Sequence, residues 1–402
     1  MTAALITGLG VVSPAGLDRE THWAETLAGR CVIGPITRFD ASGYSSRLAG
    51  EVPAFEAREH LPGRLIPQTD RMTQLALLVA DAALADREVD VAAMGEFGVG
   101  VVTASSAGGF EFGHRELEKL WSRGPEHVSA YQSFAWFYAV NTGQISIRHG
   151  TRGPSGVLVT EQAGGLDVLG QARRQVRDEL PMMISGGVDG WLCPWGWVAH
   201  QASGHLSRRT DPRSAYLPFS VDAAGYVPGE GGALFVVESA ESARSRGARP
   251  RYGVIAGYAA TFDPPPGSGR EPSLRRAIEA ALDDARIAPT DVDVVFADAV
   301  GLPELDAAEA RALAAVFGPY GVPVTAPKTM TGRLGAGGAA LDVANALLSI
   351  RDGVLPPTVN VSEPAPVHEL DLVRVTREAR VRTALVLARG HGGFNSALVV
   401  TA

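Results

Sequence analysis

The chain has 402 residues, enough for two domain-sized units, and its 46% hydrophobic and 20% charged residues are the balance of a globular protein. A formal net charge of -8 argues against nucleic acid or an acidic membrane surface as a partner. No apolar run approaches the ~18 residues of a membrane span. The N-terminus lacks the basic and apolar regions of a signal peptide, and Cys31 and Cys193 read as unpaired thiols, so a cytoplasmic protein is expected.

Ala3 to Thr7 reads as a buried strand entering a turn at Gly8 and Gly10. The stretch GLGVVSPAG matches a dinucleotide fingerprint only loosely, its last glycine being out of register. Residues 33 to 68 carry Pro35, Pro53, Pro62 and Pro67 and read as irregular structure. A helix is expected over Met72 to Ala85, a strand over Phe97 to Thr103, and a helix over Phe110 to Trp121. On that last helix Phe110, Gly113 and Leu117 share one face, which by residue type alone reads as core. Ser133 to Val140 (SFAWFYAV) is an aromatic cluster, either core or interface.

The most informative stretch is VLVTEQAGGLDVLGQARRQV, residues 157 to 176. Val157 to Val159 reads as a buried strand. From Leu166 the apolar positions Leu166, Leu169, Ala172 and Val176 recur at helical spacing, with Arg173, Arg174 and Gln175 on the polar side. A residue on such a strand-to-helix turn sits among converging N–H groups at a positive helix end, the place enzymes use for a nucleophile. Here that residue is Gln162, and an amide is not a nucleophile.

Strands are expected at Pro181 to Ser185 and Gly232 to Glu238, separated by the turn-rich loop Pro218 to Glu230. A basic connector over residues 243 to 251 separates two halves, 1–250 and 251–402. The second half repeats the alternation. It has strands at Val254 to Tyr258, Val292 to Ala299 and Pro323 to Ala326, and helices at Leu274 to Ala285, Ala307 to Phe317 and Ala339 to Ile350. A loop holds Pro264 to Pro266, and closing strands are read at Leu372 to Val375, Thr383 to Ala388 and Ser396 to Thr401. The pattern is an α/β protein of two related halves with helices on both faces of each sheet.

Four segments together resemble the β-ketoacyl synthases of the thiolase fold: LITGLGVVSPAG, PFSVDAAGYVPGEGGAL, KTMTGRLGAGGA and GHGGFNSALVV, in that order and spanning nearly the whole chain. The resemblance implies a layered αβαβα arrangement. It also implies a chemistry in which a cysteine at the strand-to-helix turn takes an acyl chain from the phosphopantetheine arm of an acyl carrier protein. Two histidines then assist decarboxylation of a malonyl unit and stabilise the oxyanion, and a lysine supports the site.

This chain departs from that pattern at each reactive position. Gln162 stands at the cysteine position and Asp298 at the first histidine position. Gly332 or Arg333 stands at the second, and Lys328 alone fits. His391 occupies the place of a usual gating phenylalanine. An aspartate at a donor position is expected to repel a malonyl carboxylate.

Glutamine at the nucleophile position, with GGFEFGHRELEKLW and SFAWFYAVNTGQISIRHG, is similar to one subgroup, the chain length factors of bacterial type II aromatic polyketide synthases. That resemblance implies a heterodimer with a catalytic ketosynthase α subunit and traffic with an acyl carrier protein. No cofactor or metal is expected on this chain itself, the carrier's phosphopantetheine arm acting at the partner. Phe110, Gly113 and Leu117 are implied to line a polyketide tunnel and set its depth. Phe134, Trp136, Phe137 and Tyr138 are then better read as interface and tunnel surround. Gln162 either orients a malonyl thioester for decarboxylation, which would prime the synthase, or fills the space a cysteine would leave; the missing histidine donors favour the second. Other readings are a stand-alone acyltransferase or thioesterase-like enzyme, against which the lack of a Ser-His pair in these motifs counts, and a structural pseudoenzyme with no effect on product length.

Overall fold

The computed structural model describes residues 3–86, 89–248, 252–265 and 267–402. In the first half five long strands alternate with helices: β1 (Ala4–Val12), β2 (Val99–Ala104), β3 (Ser155–Leu158), β4 (Met182–Asp189) and β5 (Gly231–Ser239). The second half supplies β6 (Gly253–Phe262), β7 (Val294–Phe296), β8 (Pro323–Thr325), a short β9 (Asp371–Leu372), β10 (Thr383–Gly390) and β11 (Phe394–Thr401). The helices that matter for the site are α1 (Arg71–Ala85), α2 (Phe110–Arg123), α3 (Val140–His149), α4 (Gly164–Arg177) and α5 (Pro194–Ala202). Those of the second half are α6 (Leu274–Ala285), α7 (Pro303–Phe317) and α8 (Ala336–Asp352).

The two halves are copies of one topology. Leaving aside the short β9, which pairs outside β8 at the edge, the order across the sheet within each half is third, second, fourth, fifth, first: β3-β2-β4-β5-β1, and β8-β7-β10-β11-β6. The senses match as well. Third to second and second to fourth are parallel, and fourth to fifth and fifth to first are antiparallel, in both halves. The first strands of the halves then pair with each other, Leu5 opposite Val254 and Ile6 opposite Gly253, which joins the separate sheets expected from sequence into one. The expected division at 250/251 falls on residues 249–251, which lie outside the described residues.

Strand alternation builds the layers. On β5, Leu234 and Val236 face α1, while Ala233, Phe235 and Val237 face the opposite side. On β10, Leu385 and Leu387 pack with α6, while Ala384, Val386 and Ala388 point to the same inner layer as Phe235. That inner layer is α4 and α8, buried between the two halves of the sheet, with α1 outside the first half and α6 outside the second. The result is helix, sheet, helix, sheet, helix. α8 is hydrophobic or small nearly all round, as a helix with no solvent face must be, whereas α4 is buried from Gly164 to Gly170 and turns Arg174 to solvent. They cross at Gly165, where a Cβ would stand 2.4 Å from the Ala336 carbonyl.

Several expectations change. β1 does not stop at Gly8 but runs through Gly8 and Gly10 to Val12; the glycines are there because Cβ atoms would strike the Ala83 and Val79 carbonyls of α1 at 2.3 and 2.1 Å. The strand before Gln162 is an edge strand rather than a buried one. β3 pairs only with β2, and Val159 beyond it is exposed. Arg173, expected on a polar face, is buried, pairing with Asp284 at 2.5 Å and donating to the Ala256 carbonyl. Helices α3 and α5 have no counterpart in the sequence reading. Cys31 and Cys193 are free, as expected. No helix among the described residues is long and apolar enough to cross a membrane.

Candidate functional site: a vestigial condensing centre

The inner helices α4 and α8 each follow the third strand of their half, so the turns that introduce them are related by the internal repeat. The first turn carries Gln162. Glu161 adopts a left-handed conformation (φ 52°), residues Glu161–Ala163 form a single tight turn, and α4 begins at Gly164. Gln162 is fully buried, its amide lying over Gly338 of α8, where an added Cβ would come within 2.9 Å of it. Neither amide atom finds a hydrogen-bond partner among the described residues. Thus the turn that in a condensing enzyme presents a thiolate here presents a sealed amide.

The second turn carries Arg333, just ahead of α8, and Asp298 follows β7. The structure brings them together. Arg333 donates to the Asp298 carboxylate at 3.0 Å, to the Asp298 carbonyl at 2.7 Å and to the Arg389 carbonyl at 3.2 Å, and its guanidinium lies over the Tyr226 ring at 5.4 Å. The Arg389 N–H also donates to the Asp298 carboxylate at 3.0 Å. Both side chains are buried. Burial works against the charge of Arg333, but Asp298, Tyr216 and Glu161 outweigh it and hold its pKa well above the ordinary arginine value. Lys328 pairs with Asp342 at 2.7 Å and donates to the carbonyls of Ala297 and Asp298. Behind them Glu309 accepts from the N–H groups of Asp298 and Ala299 at 2.7 and 2.9 Å; burial and the Asp298 charge push its pKa up to about 7.

Asp298, the residue expected to repel a malonyl carboxylate, is not an isolated charge. Its charge is matched by Arg333, with Lys328 against its carbonyl. Three of the five guanidinium N–H groups of Arg333 are committed, two to Asp298 and one to the Arg389 carbonyl, so the side chain is held by its neighbours. Of the two alternatives for the second histidine position, Arg333 provides the side chain; Gly332 (φ 84°) makes the turn.

A pocket of about 1110 Å³ opens over this centre, lined among others by Glu161, Trp191, Tyr226, Asp298, Arg333 and His391. Burial raises the pKa of Glu161, which accepts from the His391 backbone N–H at 3.1 Å, and the His391 ring meets His205 at 5.3 Å between centroids. Among the described residues no group of three or more His, Cys, Asp or Glu side chains is placed to hold a metal.

Phe110, Gly113 and Leu117 do not line this pocket. They lie on α2, whose first turns pack on α5. Phe110 stacks on Trp195 at 4.4 Å and stands edge-on to Trp191 at 6.1 Å, so Trp191 joins the pocket to α2. The missing Cβ of Gly113 would stand 3.3 Å from Trp195 and 3.5 Å from the Trp136 Cβ. Trp136 and Phe137 remain 43% and 49% exposed and Trp121, at the far end of α2, 83% exposed, too much aromatic surface to leave in water without a use. Phe134 contacts Tyr131 and Tyr138 contacts Phe137.

Sequence reasoning missed Trp191, Trp195, Asp70 and Asp189. The cluster WLCPWGW was a signal for the first two, read only for its cysteine. That thiol caps α5, and burial pushes its pKa up to about 11, which makes it inert. The bond from Phe112 to Asp70 and those from Ser106 and Ala336 to Asp189 gave no signal, because they join residues remote in sequence; only the cap of Asp70 on α1 is local.

Residues 2–243 match the β-ketoacyl synthase N-terminal domain and residues 252–362 the C-terminal domain. The chain belongs to the β-ketoacyl synthase family. Within it, the chain is 64% identical over 98% of its length, and 97% of the relative's, to the tetracenomycin polyketide synthase ketoacyl synthase beta subunit of Streptomyces glaucescens. Among solved structures it is similar to the ishigamide ketosynthase/chain length factor (TM-score 0.90, 28% identity, 100% and 99% of the two chains covered). A second neighbour is a type II polyketide synthase acyl-carrier protein in complex with its ketosynthase bound to the hexaketide (TM-score 0.88, 26% identity, the same coverage). With Gln162 at the nucleophile turn, the chain is a ketosynthase β subunit of the chain length factor type.

Proposed function

We propose that this chain is the non-condensing half of a type II polyketide ketosynthase. It pairs with a catalytic α subunit, forms the far wall of the polyketide tunnel and sets the length of the chain that the partner builds. The observation that carries the reading is the state of the two repeat-related turns. One holds a sealed amide in place of a nucleophile, and the other an arginine tied to Asp298 by two hydrogen bonds in place of a histidine. The relatives' own descriptions, a ketoacyl synthase beta subunit and a ketosynthase/chain length factor, agree with it.

The partner would dock on the free edge of β3 and on the exposed Trp136 and Phe137, a strand edge and apolar side chains that an obligate interface covers. Phe110, Gly113 and Leu117 then face the growing chain, with Phe134 and Tyr138 in the surround. The acyl carrier protein brings malonyl units on its phosphopantetheine arm to the partner's centre, where loss of carbon dioxide lets each attack the acyl chain held on the partner's cysteine, and this chain holds no cofactor. Gln162, Asp298, Arg333 and Lys328 maintain the centre in its closed form. The test is reconstitution with acyl carrier protein and malonyl units: the chain alone condenses nothing, and the pair with a cognate α subunit releases one dominant length. Condensation by the chain alone would establish the stand-alone reading instead.

A further inference from the structure

α2 begins without a cap of its own. Gly109 precedes it and has no side chain to offer the first N–H groups, which an isolated helix leaves unsatisfied. Its cap comes from elsewhere. Asp70, fully buried at the start of α1, accepts from the Met72 N–H with one carboxylate oxygen and from the Phe112 N–H with the other, both at 2.7 Å. One carboxylate therefore lies between two positive helix ends and ties α2 to α1. The loop leading into α2 is held from the opposite side. Asp189, at the end of β4, accepts from the N–H groups of Ser106 at 2.7 Å and Ala336 at 3.0 Å, coupling that loop to the start of α8. Gly109 also donates to the Trp136 carbonyl at 3.0 Å. Phe110 and Gly113 sit on the first turns of α2, two residues before the Phe112 anchor point and one after it.

We infer that Asp70 is a positioning residue for product length: by capping Phe112 it fixes where the first turns of α2 stand, and so the place of Phe110 and Gly113 against the growing chain. The inference rests on the reading of α2 as tunnel wall. Asp70 touches neither substrate nor the vestigial centre; it acts through the helix.

Asp70→Asn separates its two tasks. Asparagine caps a helix as well as aspartate does, so α1 keeps its cap. The amide NH₂ replaces the oxygen that faces Phe112, setting a donor against a donor. In the reconstituted heterodimer the variant is expected to keep its output of total polyketide, while products of other than the parent length rise about 5-fold, the population change that loss of one cap corresponds to. Hydrogen exchange at Phe112 should speed up while Met72 stays protected. If the variant does not assemble, Asp70→Ser, which caps α1 through its hydroxyl but cannot span both helices, carries the same test. A product distribution identical to the parent's, with Phe112 exchange accelerated, overturns the inference. Gly113→Thr with Leu117→Phe serves as the control: if that pair shifts the length and Asp70→Asn does not, the inference fails and the tunnel reading stands, whereas if neither shifts it, the tunnel reading itself fails.

Discussion

Replacing Arg333 with methionine tests the account of the closed centre at its hinge. The substitution keeps a long side chain over Tyr226 but removes the donors to the Asp298 carboxylate, the Asp298 carbonyl and the Arg389 carbonyl. Asp298 is then left buried with its ion-pair partner gone. One of its carboxylate oxygens already lacks a partner among the described residues. Breaking a buried pair from one side costs about 3–5 kcal/mol, because the remaining charge stays desolvated. Replacing both members, Asp298→Leu with Arg333→Met, removes that penalty and is expected to cost less than either single change, with a coupling of at least about 2 kcal/mol in the double-mutant cycle. Equilibrium urea denaturation followed by tryptophan fluorescence measures all four corners. A cost below about 1 kcal/mol for Arg333→Met would show that Lys328 or water holds the Asp298 charge, and the argument that Arg333's donors are committed to it would fall.

Two further outcomes follow from buried groups. Gln162→Met, close in volume and without polar atoms, is expected to stabilise the chain by about 1–3 kcal/mol, because it removes two buried amide atoms that make no hydrogen bond; it should leave the heterodimer's polyketide output unchanged. Loss of output without loss of stability would give Gln162 a chemical role. His200, which packs on Trp191 at 3.9 Å, has its pKa lowered by burial to about 3. Between that value and about 6.5 the unfolded chain binds a proton that the folded chain refuses, so stability falls as pH drops through this window. His200→Phe abolishes that component: the variant's stability relative to the parent should improve by about 2 kcal/mol between pH 7 and pH 5, and a difference independent of pH contradicts the burial argument.

How much of this was legible in the sequence depends on the range over which each feature is encoded. Strands such as β5 and β10 bury both faces, so a short apolar run identifies them whatever they pack against. Gln162 was readable because its strand-turn-helix setting is local, and Asp298 and Arg333 were readable as departures from a motif. Their pairing was not, since it joins positions 35 apart through the return of the chain from β7 to α8. The same limit hid the reach of Asp70 to Phe112, 42 residues away, and Asp189, whose partners lie in the loop before α2 and at the start of α8. The glycines of β1 looked like a turn because sequence shows the missing side chain but not the helix backbone that requires its absence. The strand before Gln162 looked buried because Val157, Leu158 and Val159 are apolar; that β3 lies at a sheet edge, with Val159 exposed beyond it, is legible only once the order of the strands is known, and it is the feature that points to a partner.

The most direct test of the central claim is the product mass released by the reconstituted pair when this chain carries Gly113→Thr and Leu117→Phe, with the chain alone as the blank. A threonine at Gly113 has to displace Trp195 or Trp136, and phenylalanine at Leu117 fills the same face one turn further along. The account predicts no condensation in the blank, one dominant length from the parent pair and a shorter dominant length from the variant pair. An unchanged carbon number from a variant pair that assembles and turns over normally would contradict it.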